Sequence, residues 1–269
     1  MIIYKQLLEE RKSYMNLQKL YSYTRQAIEA YELIDEGDKI AIGISGGKDS
    51  LALLYALSGI QKFYPKKFDI VAITVDLGFD NFNLDNIIKL CKLIKVEYHI
   101  IKTEIGNIVF EARKEKNPCS LCAKMRKGAL NQAVKELGCN KIAYAHHKDD
   151  ILHTLFLSYF FESQLYSFAP YTFLEKSQLA IIRPFVFIPE KEIIGFQKKY
   201  NLPVVKNPCP ADGDTKREEM KELIELINKK YPGVKKRMFS AISNSMIPDW
   251  EFSRLSSMDR KRKLGIDIE

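Results

Sequence analysis

Nothing in this chain runs to the ~18 consecutive apolar residues of a membrane-crossing helix, which argues against an integral membrane protein. The first twenty residues are broken by Lys5, Glu9, Glu10, Arg11 and Lys12, and they lack the apolar stretch of a secretory signal. The expected location is therefore the cytoplasm, with no membrane partner. Cysteine is sparse, five among 269 residues. In a cytoplasmic chain that number points away from a disulfide framework and toward metal or redox chemistry. There is no internal repeat and no low-complexity segment, so a repeat array is not expected. Charge of one sign does not dominate either. The 42 Lys and Arg exceed the 34 Asp and Glu by a net +8, a moderate excess compatible with nucleic acid, ATP or simple solubility.

The Walker A pattern G-x-x-x-x-G-K-[ST] is also missing. In its place stands Ser45-Gly46-Gly47-Lys48-Asp49-Ser50, preceded by the apolar run Lys39–Ile44 and followed by Leu51–Leu57. A buried strand thus runs into a glycine turn that opens a helix. The glycines let the backbone bend tightly and approach a ligand. The free N–H groups and dipole at the helix start make an anion site. Ser45 and Ser50 add hydroxyls, and Lys48 adds a mobile positive charge.

Apolar runs at Lys39–Ile44, Ile70–Val75, Glu97–Ile101, Lys141–Ala145 and Ala180–Arg183 alternate with helical patterns at Ser50–Ile60, Asn83–Ile94, Pro118–Leu137 and Asp149–Phe161. That alternation predicts an α/β fold with a doubly wound parallel sheet. Residues 4–34 carry a helical pattern, and helices are expected again at Lys191–Tyr200 and Thr215–Lys230. Three regions are expected: an N-terminal helical segment at 1–36, a nucleotide-binding domain at 37–188, and a helical C-terminal region at 189–269. The run Asp259–Lys263 reads either as a solvated basic tail or as a contact for RNA phosphates, and the N-terminal helix and the Lys229–Arg237 region are further candidates for such contacts.

Asn117 is a good N-cap and Pro118 suits the first helical position, so Cys119 and Cys122 share a face of the first turn. A helix N-terminus favours thiolates. Two ligands are too few for a metal, and Cys209, between Pro208 and Pro210, is the best third. An iron–sulfur cluster with one open iron, a zinc site and a disulfide or persulfide relay are all open to such a trio. The lack of an obvious fourth ligand tilts the choice to the cluster, with His153 and Asp212 as further possible ligands. Cys91, in an apolar helix, and Cys139, at a helix end, read as structural.

Four ordered stretches resemble one family. The hexapeptide Ser45–Ser50 resembles the PP-loop of the ATP pyrophosphatases. Gln26–Ile28 with Leu33–Ile40, Cys119–Gly128, Lys141–Leu157 and Ile182–Phe185 resemble the tRNA 2-thiocytidine synthetases. The resemblance implies a PP-loop, adenine nucleotide alpha hydrolase-like fold. It also implies an ATP-dependent enzyme that uses Mg²⁺ and an oxygen-sensitive [4Fe–4S] cluster to replace O2 of a tRNA cytidine by sulfur. Carried onto this chain, ATP lies at Ser45, Gly46, Gly47, Lys48, Asp49 and Ser50, with Asp76 near the nucleotide. The cluster lies on Cys119, Cys122 and Cys209. Arg126, one turn beyond Cys122, steadies negative charge, and Lys48 offsets charge in the adenylation step; Asp149 and Asp150 read either as helix caps or as a pair of which one, Asp150 for preference, orients substrate or Mg²⁺ or moves a proton. His146-His147-Lys148-Asp149-Asp150 closes a strand and opens a helix, where ligands sit in open parallel sheets. The expected partners are tRNA and a sulfur-donor system, either a cysteine desulfurase or free sulfide, and the expected assembly is a homodimer.

The chain departs from the family in the loop Cys209–Arg217, and it lacks the paired zinc-ribbon cysteines of the 2-thiouridine branch. Two rival readings remain: a PP-loop sulfurtransferase with a cysteine persulfide on Cys119 or Cys209, and a non-enzymatic nucleotide- or RNA-binding module with structural zinc.

Overall fold

A computed structural model describes residues 15–80, 82–112, 118–206, 208–209, 216–245 and 247–266. Six strands form one sheet: β1 (Asp38–Gly43), β2 (Phe68–Asp76), β3 (Glu97–Lys102), β4 (Lys141–Ala143), β5 (Tyr171–Leu174) and β6 (Leu179–Ile182). Their order across the sheet is β3-β2-β1-β4-β6-β5. β1 pairs in parallel with both β2 and β4, β3 follows β2 in parallel, and β6 follows β4 in parallel.

The longer helices are α1 (Leu17–Ala30), α2 (Lys48–Ile60), α3 (Asp85–Ile94), α4 (Pro118–Glu136), α5 (Lys148–Phe161), α6 (Glu190–Tyr200), α7 (Lys216–Lys230), α8 (Val234–Ser243), α9 (Pro248–Ser253) and α10 (Ser257–Leu264). Strands buried on both faces read as continuous apolar runs, and alternate residues of β1 serve the two cores. Ile40 and Ile42 face a large core with α1, α2, α5, α6 and the C-terminal helices. Ala41 faces a smaller one, closed by Leu130 and Val134 of α4. The doubly wound expectation therefore holds. Cys91 and Cys139 are buried in the large and small cores respectively, as the structural reading has it.

Two expectations need correction. The sheet is not wholly parallel: Tyr171–Leu174 adds an antiparallel edge strand beside β6. Leu174 O accepts from Ser177 N at 3.1 Å and Gln178 N at 2.7 Å, and Gln178 takes φ 54° to close that hairpin. β5 is defined by its ladder to β6, a pairing between segments that the local pattern does not record. The second correction concerns Asp259–Lys263, which is not a solvated tail but part of α10, packed on the body of the fold. Arg260 is 2% exposed. Its Nη1 donates to Ser253 O at 3.0 Å and Leu255 O at 2.6 Å, and its Nη2 donates to Glu32 O beyond α1. Its guanidinium lies 4.3 Å from the centre of the Tyr171 ring. Arg260 therefore cannot serve RNA.

A polar knot lies close by. Lys141 Nζ is 2.7 Å from Asp38 and 3.1 Å from Asp35, and Ser257 Oγ donates to Asp35 at 2.8 Å. Burial opposes the charge on Asp35, but Lys141, the Ser257 hydroxyl and Lys261 outweigh it and hold the carboxyl at about 2.

Of the sequence expectations, residues 4–14, the Asn117 cap, Pro210, Asp212 and Thr215 lie outside the described residues. Among the described residues no helix is long and apolar enough to cross a membrane.

Arg260→Ala should destabilise the protein by about 2–3 kcal/mol, because it strands buried carbonyls that now have a charged donor. Arg262→Ala, on the exposed side of the same helix, should stay within about 0.5 kcal/mol. Urea unfolding of the two variants measures the difference, and equal effects would contradict the docked position of α10.

Candidate nucleotide and thiol site

The site is built at the carboxyl edge of the parallel strands. Beyond β1, Ile44 N donates to Ile73 O at 2.8 Å and carries the chain past the sheet edge. Gly46 then turns with φ +85°, a region that side-chain-bearing residues avoid. Gly47 is the N-cap of α2. Ser50 Oγ donates to Gly47 O at 2.9 Å and lies 3.3 Å from Ser45 Oγ, so the two hydroxyls brace the turn. Gly47 N in turn leans on Ser45 Oγ at 3.3 Å.

Lys48 is held at 3.1 Å from Asp49 and 3.0 Å from Glu190 at the start of α6. Burial works against its charge, but these two carboxylates win and raise its pKa. Glu190 has no motif of its own in the sequence, and only the approach of α6 to α2 reveals its role.

β4 ends at Ala143, earlier than the expected Ala145, and Tyr144 still donates to Ile182 O at 3.0 Å. His147 and Asp150 form a capping box at the start of α5. His147 Nδ1 accepts from Asp150 N at 3.3 Å, and Asp150 Oδ2 accepts from His147 N at 3.0 Å. Since Nδ1 accepts, the imidazole proton sits on Nε2, which lies 3.4 Å from Asp150 Oδ2 and 3.9 Å from Asp49 Oδ1. The two neighbouring aspartates have different tasks. Asp149 is buried, accepts from Glu190 N at 2.7 Å and pairs with Lys235, so it ties α5 to α6 and α8. Asp150 faces the cavity and presents Oδ1 to Arg217 at 3.3 Å. The capping role expected as an alternative for this pair is thus present in Asp150 together with its place at the cavity.

A cavity of about 630 Å³ joins these parts, a size within the ordinary range for a small-molecule site. Ser45, Gly47, Asp49 and Ser50 line one wall, and Asp76 closes the β2 side. Arg126 lines the α4 side, and His146, Asp150 and Arg183 line the side of β4 and β6. Lys48 and Gly46 are not part of this lining. Asp49 Oδ1 is buried with no hydrogen-bond partner among the described residues, which suits a cation or donor brought by a ligand. Sequence reasoning gave no task to Arg183, which is 7% exposed. Its Nη1 donates to Thr172 Oγ1 at 3.0 Å and to Ala169 O. Burial lowers its pKa to about 10, so it keeps its charge at neutral pH. Burial, aided by Arg183, pushes the His146 imidazole well below its usual value and keeps it neutral.

The cysteines adjoin the rim rather than line it. Ala123, next to Cys122, and Pro208, next to Cys209, are both in the cavity wall. The segment that carries Cys209 is fastened to the glycine turn, where Val205 N donates to Gly46 O at 3.0 Å. Burial raises the Cys122 thiol, Arg126 opposes it, and the nearby Cys209 and Cys119 raise it further. Cys119 and Cys209 thus both lie near Cys122 although they come from distant parts of the chain, a soft donor set that suits iron or zinc. Among the described residues no three His, Cys, Asp or Glu side chains stand at metal-enclosing distances. His153 is buried among Asp150, Asp149, His147 and Arg217.

Residues 14–227 match the family described as the PP-loop domain. The chain is 38% identical over 222 residues to the tRNA-cytidine(32) 2-sulfurtransferase of Citrifermentans bemidjiense, which covers 81% of this chain and 87% of that protein. The chain belongs to this PP-loop family. It is also 36% identical over 243 residues to the tRNA-cytidine(32) 2-sulfurtransferase of Geobacter sulfurreducens, covering 88% and 95% of the two chains. A solved U34-tRNA thiolase of Methanococcus maripaludis, with its [4Fe–4S] cluster, superposes with a TM-score of 0.67 at 24% identity. That match covers 82% of this chain and 77% of the other, and shows a shared fold.

A Cβ at Gly46 would meet Val205 Cβ at 3.3 Å, on a backbone that already disfavours side chains. Gly46→Ala should therefore lose about 1–3 kcal/mol of stability and weaken ATP binding by about tenfold or more. Calorimetric titration with ATP tests this. Unchanged affinity would show that the turn is not the nucleotide cradle.

Proposed function

We propose that this protein is an ATP-dependent tRNA thiolation enzyme. It adenylates O2 of a tRNA cytidine, the nucleoside at position 32 in the names of its relatives, and replaces that oxygen by sulfur. The observation that carries the reading is one continuous cavity. It runs from the glycine turn, past Asp150, to the helix that bears Cys119 and Cys122.

In this reading the N–H groups at the start of α2, with Ser45 and Ser50, hold the ATP phosphates. Lys48, kept charged between Asp49 and Glu190, offsets the charge that grows on pyrophosphate as the nucleobase oxygen attacks the α-phosphorus. Asp49, with its unpartnered oxygen, is the residue to face the nucleotide's Mg²⁺, and Asp76 stands on the nucleotide side. Asp150, fixed by the capping box with His147, orients the base or takes a proton from its exocyclic amino group as O2 is adenylated. Arg126 steadies the adenylate. Sulfur then adds at C2, and AMP leaves with the former O2 oxygen. The cavity wall limits access of water to the adenylated base.

Cys119, Cys122 and Cys209 would hold a [4Fe–4S] cluster. When bound, a cluster on three thiolates supplies one iron free of protein ligands, at which sulfide can be carried. The sulfur comes from a cysteine desulfurase or free sulfide, and the working assembly is a homodimer.

Lys48→Ala should cut tRNA-dependent pyrophosphate release by about 100-fold or more, with far-UV circular dichroism unchanged; wild-type release would remove Lys48 from the chemistry. For the thiols, iron and labile sulfide per chain are measured in anaerobic wild type and in five single Cys→Ala variants, alongside mass spectrometry of tRNA nucleosides. Loss of Cys119, Cys122 or Cys209 should remove iron and 2-thiocytidine together, whereas loss of Cys91 or Cys139 should remove neither. Full iron content in Cys209→Ala would overturn the third ligand. Colourless zinc protein, or full activity without iron, would overturn the cluster.

A further inference from the structure

The surface beside the cavity carries an unusual concentration of aromatic side chains. Of the eleven large apolar side chains exposed among the described residues, five lie within eight positions: Tyr159, Phe160, Phe161, Leu165 and Tyr166, each 41–68% exposed. They form a ridge rather than scattered points. Phe160 stacks on Phe156 at 5.8 Å and takes Tyr159 edge-on at 5.7 Å. Lys216 Nζ stands 5.6 Å from the centre of the Phe161 ring.

The ridge leads back to the site. From the end of α5 the chain doubles back along the helix. Ser158 Oγ donates to Tyr166 O at 2.6 Å, and Ser167 Oγ donates to Ile151 O at 2.8 Å. The next ring, Phe168, lies 4.5 Å from His146 in the cavity wall. Asp150 at one end of α5 and Phe161 near the other are about 16 Å apart at the helix rise per residue, a span of a few nucleotides.

We infer that this ridge is a stacking surface for the unpaired nucleotides that flank the target base in the tRNA loop. The inference rests on the thiolation reading above. Single-stranded RNA is held by aromatic faces that accept any base, together with cations that follow the backbone. Lys216 and Arg217, at the start of α7 beside α5, supply such cations at the ridge and the cavity mouth. A second copy of the chain fits less well. Five half-exposed side chains of this size offer roughly 500 Å², below the ~800 Å² per partner of a stable interface, and Glu162, Ser163 and Gln164 interrupt them with exposed polar groups.

The test uses the full chain and an unmodified tRNA transcript with cytidine at position 32. Affinity is read by fluorescence anisotropy across a range of salt for wild type, Tyr159→Ser/Phe160→Ser and Phe161→Ser/Tyr166→Ser. Each double variant should bind about 5- to 100-fold more weakly. The dependence of log Kd on log salt should be unchanged, since stacking releases no counterions. ATP affinity and melting temperature should be preserved, because the altered side chains are exposed. Photocrosslinking of 5-iodouridine placed beside position 32 should map to residues 159–166. Unchanged affinity, or crosslinks that map elsewhere, would overturn the ridge. So would variants that lose self-association in sedimentation while keeping tRNA affinity, which would assign the surface to a second copy. A wild type that binds this tRNA no better than unrelated RNA and forms no 2-thiocytidine would instead overturn the thiolation reading itself.

Discussion

β1 pairs in parallel with β2 on one side and β4 on the other, and the rest of the molecule depends on that placement. The chain leaves β1 through a turn at the carboxyl edge, between two parallel neighbours that end on that same edge, so a crevice opens there. The glycine turn, the end of β2 with Asp76, and the start of α5 with Asp150 all meet there because parallel strands finish on one edge. α4 enters the same edge with its N-terminus, which sets Cys119 and Cys122 beside the crevice. Moving any of these groups by a strand would break the sheet's continuous burial, not merely a contact.

Charge inside the fold is held by pairing that leaves particular atoms open. Asp149 and Lys48 have partners that outweigh burial, so they remain ionised and fix α5 and α6 in relation to α2. Among the described residues Arg183 has only neutral acceptors, Ala169 O and Thr172 Oγ1, for its Nη1. Asp49 keeps an oxygen with no hydrogen-bond partner among the described residues. Buried polar groups are ordinarily satisfied, and both of these residues face the cavity. The lattice of paired charges is therefore the frame, and the unpaired ones mark where a ligand's own polar groups would complete it. Arg260 shows the opposite case, a charged residue in a basic run that is wholly taken up by backbone carbonyls.

The sequence by itself determined the local devices of this protein. A strand, two glycines and a helix are specified by neighbours in the chain, so Ser45–Ser50 was legible as an anion site before any fold was known. The same holds for Cys119 and Cys122, one helical turn apart, for the alternation that gives a doubly wound sheet, and for Asp150 at a helix start. Only the tertiary structure decided what joins them. The hydrogen bond from Val205 to Gly46 brings Cys209 toward Cys122, and Glu190 reaches Lys48 across two helices. A four-residue strand becomes an edge only because β6 is there to pair with it, and α10 ceases to be a tail because Glu32 offers it a carbonyl. Local structure follows from short-range hydrogen bonds and side-chain period, which the sequence writes out directly. Contacts between distant segments form only when the burial of the whole core outweighs the entropy of closing the loops between them, and no single stretch of residues records that balance.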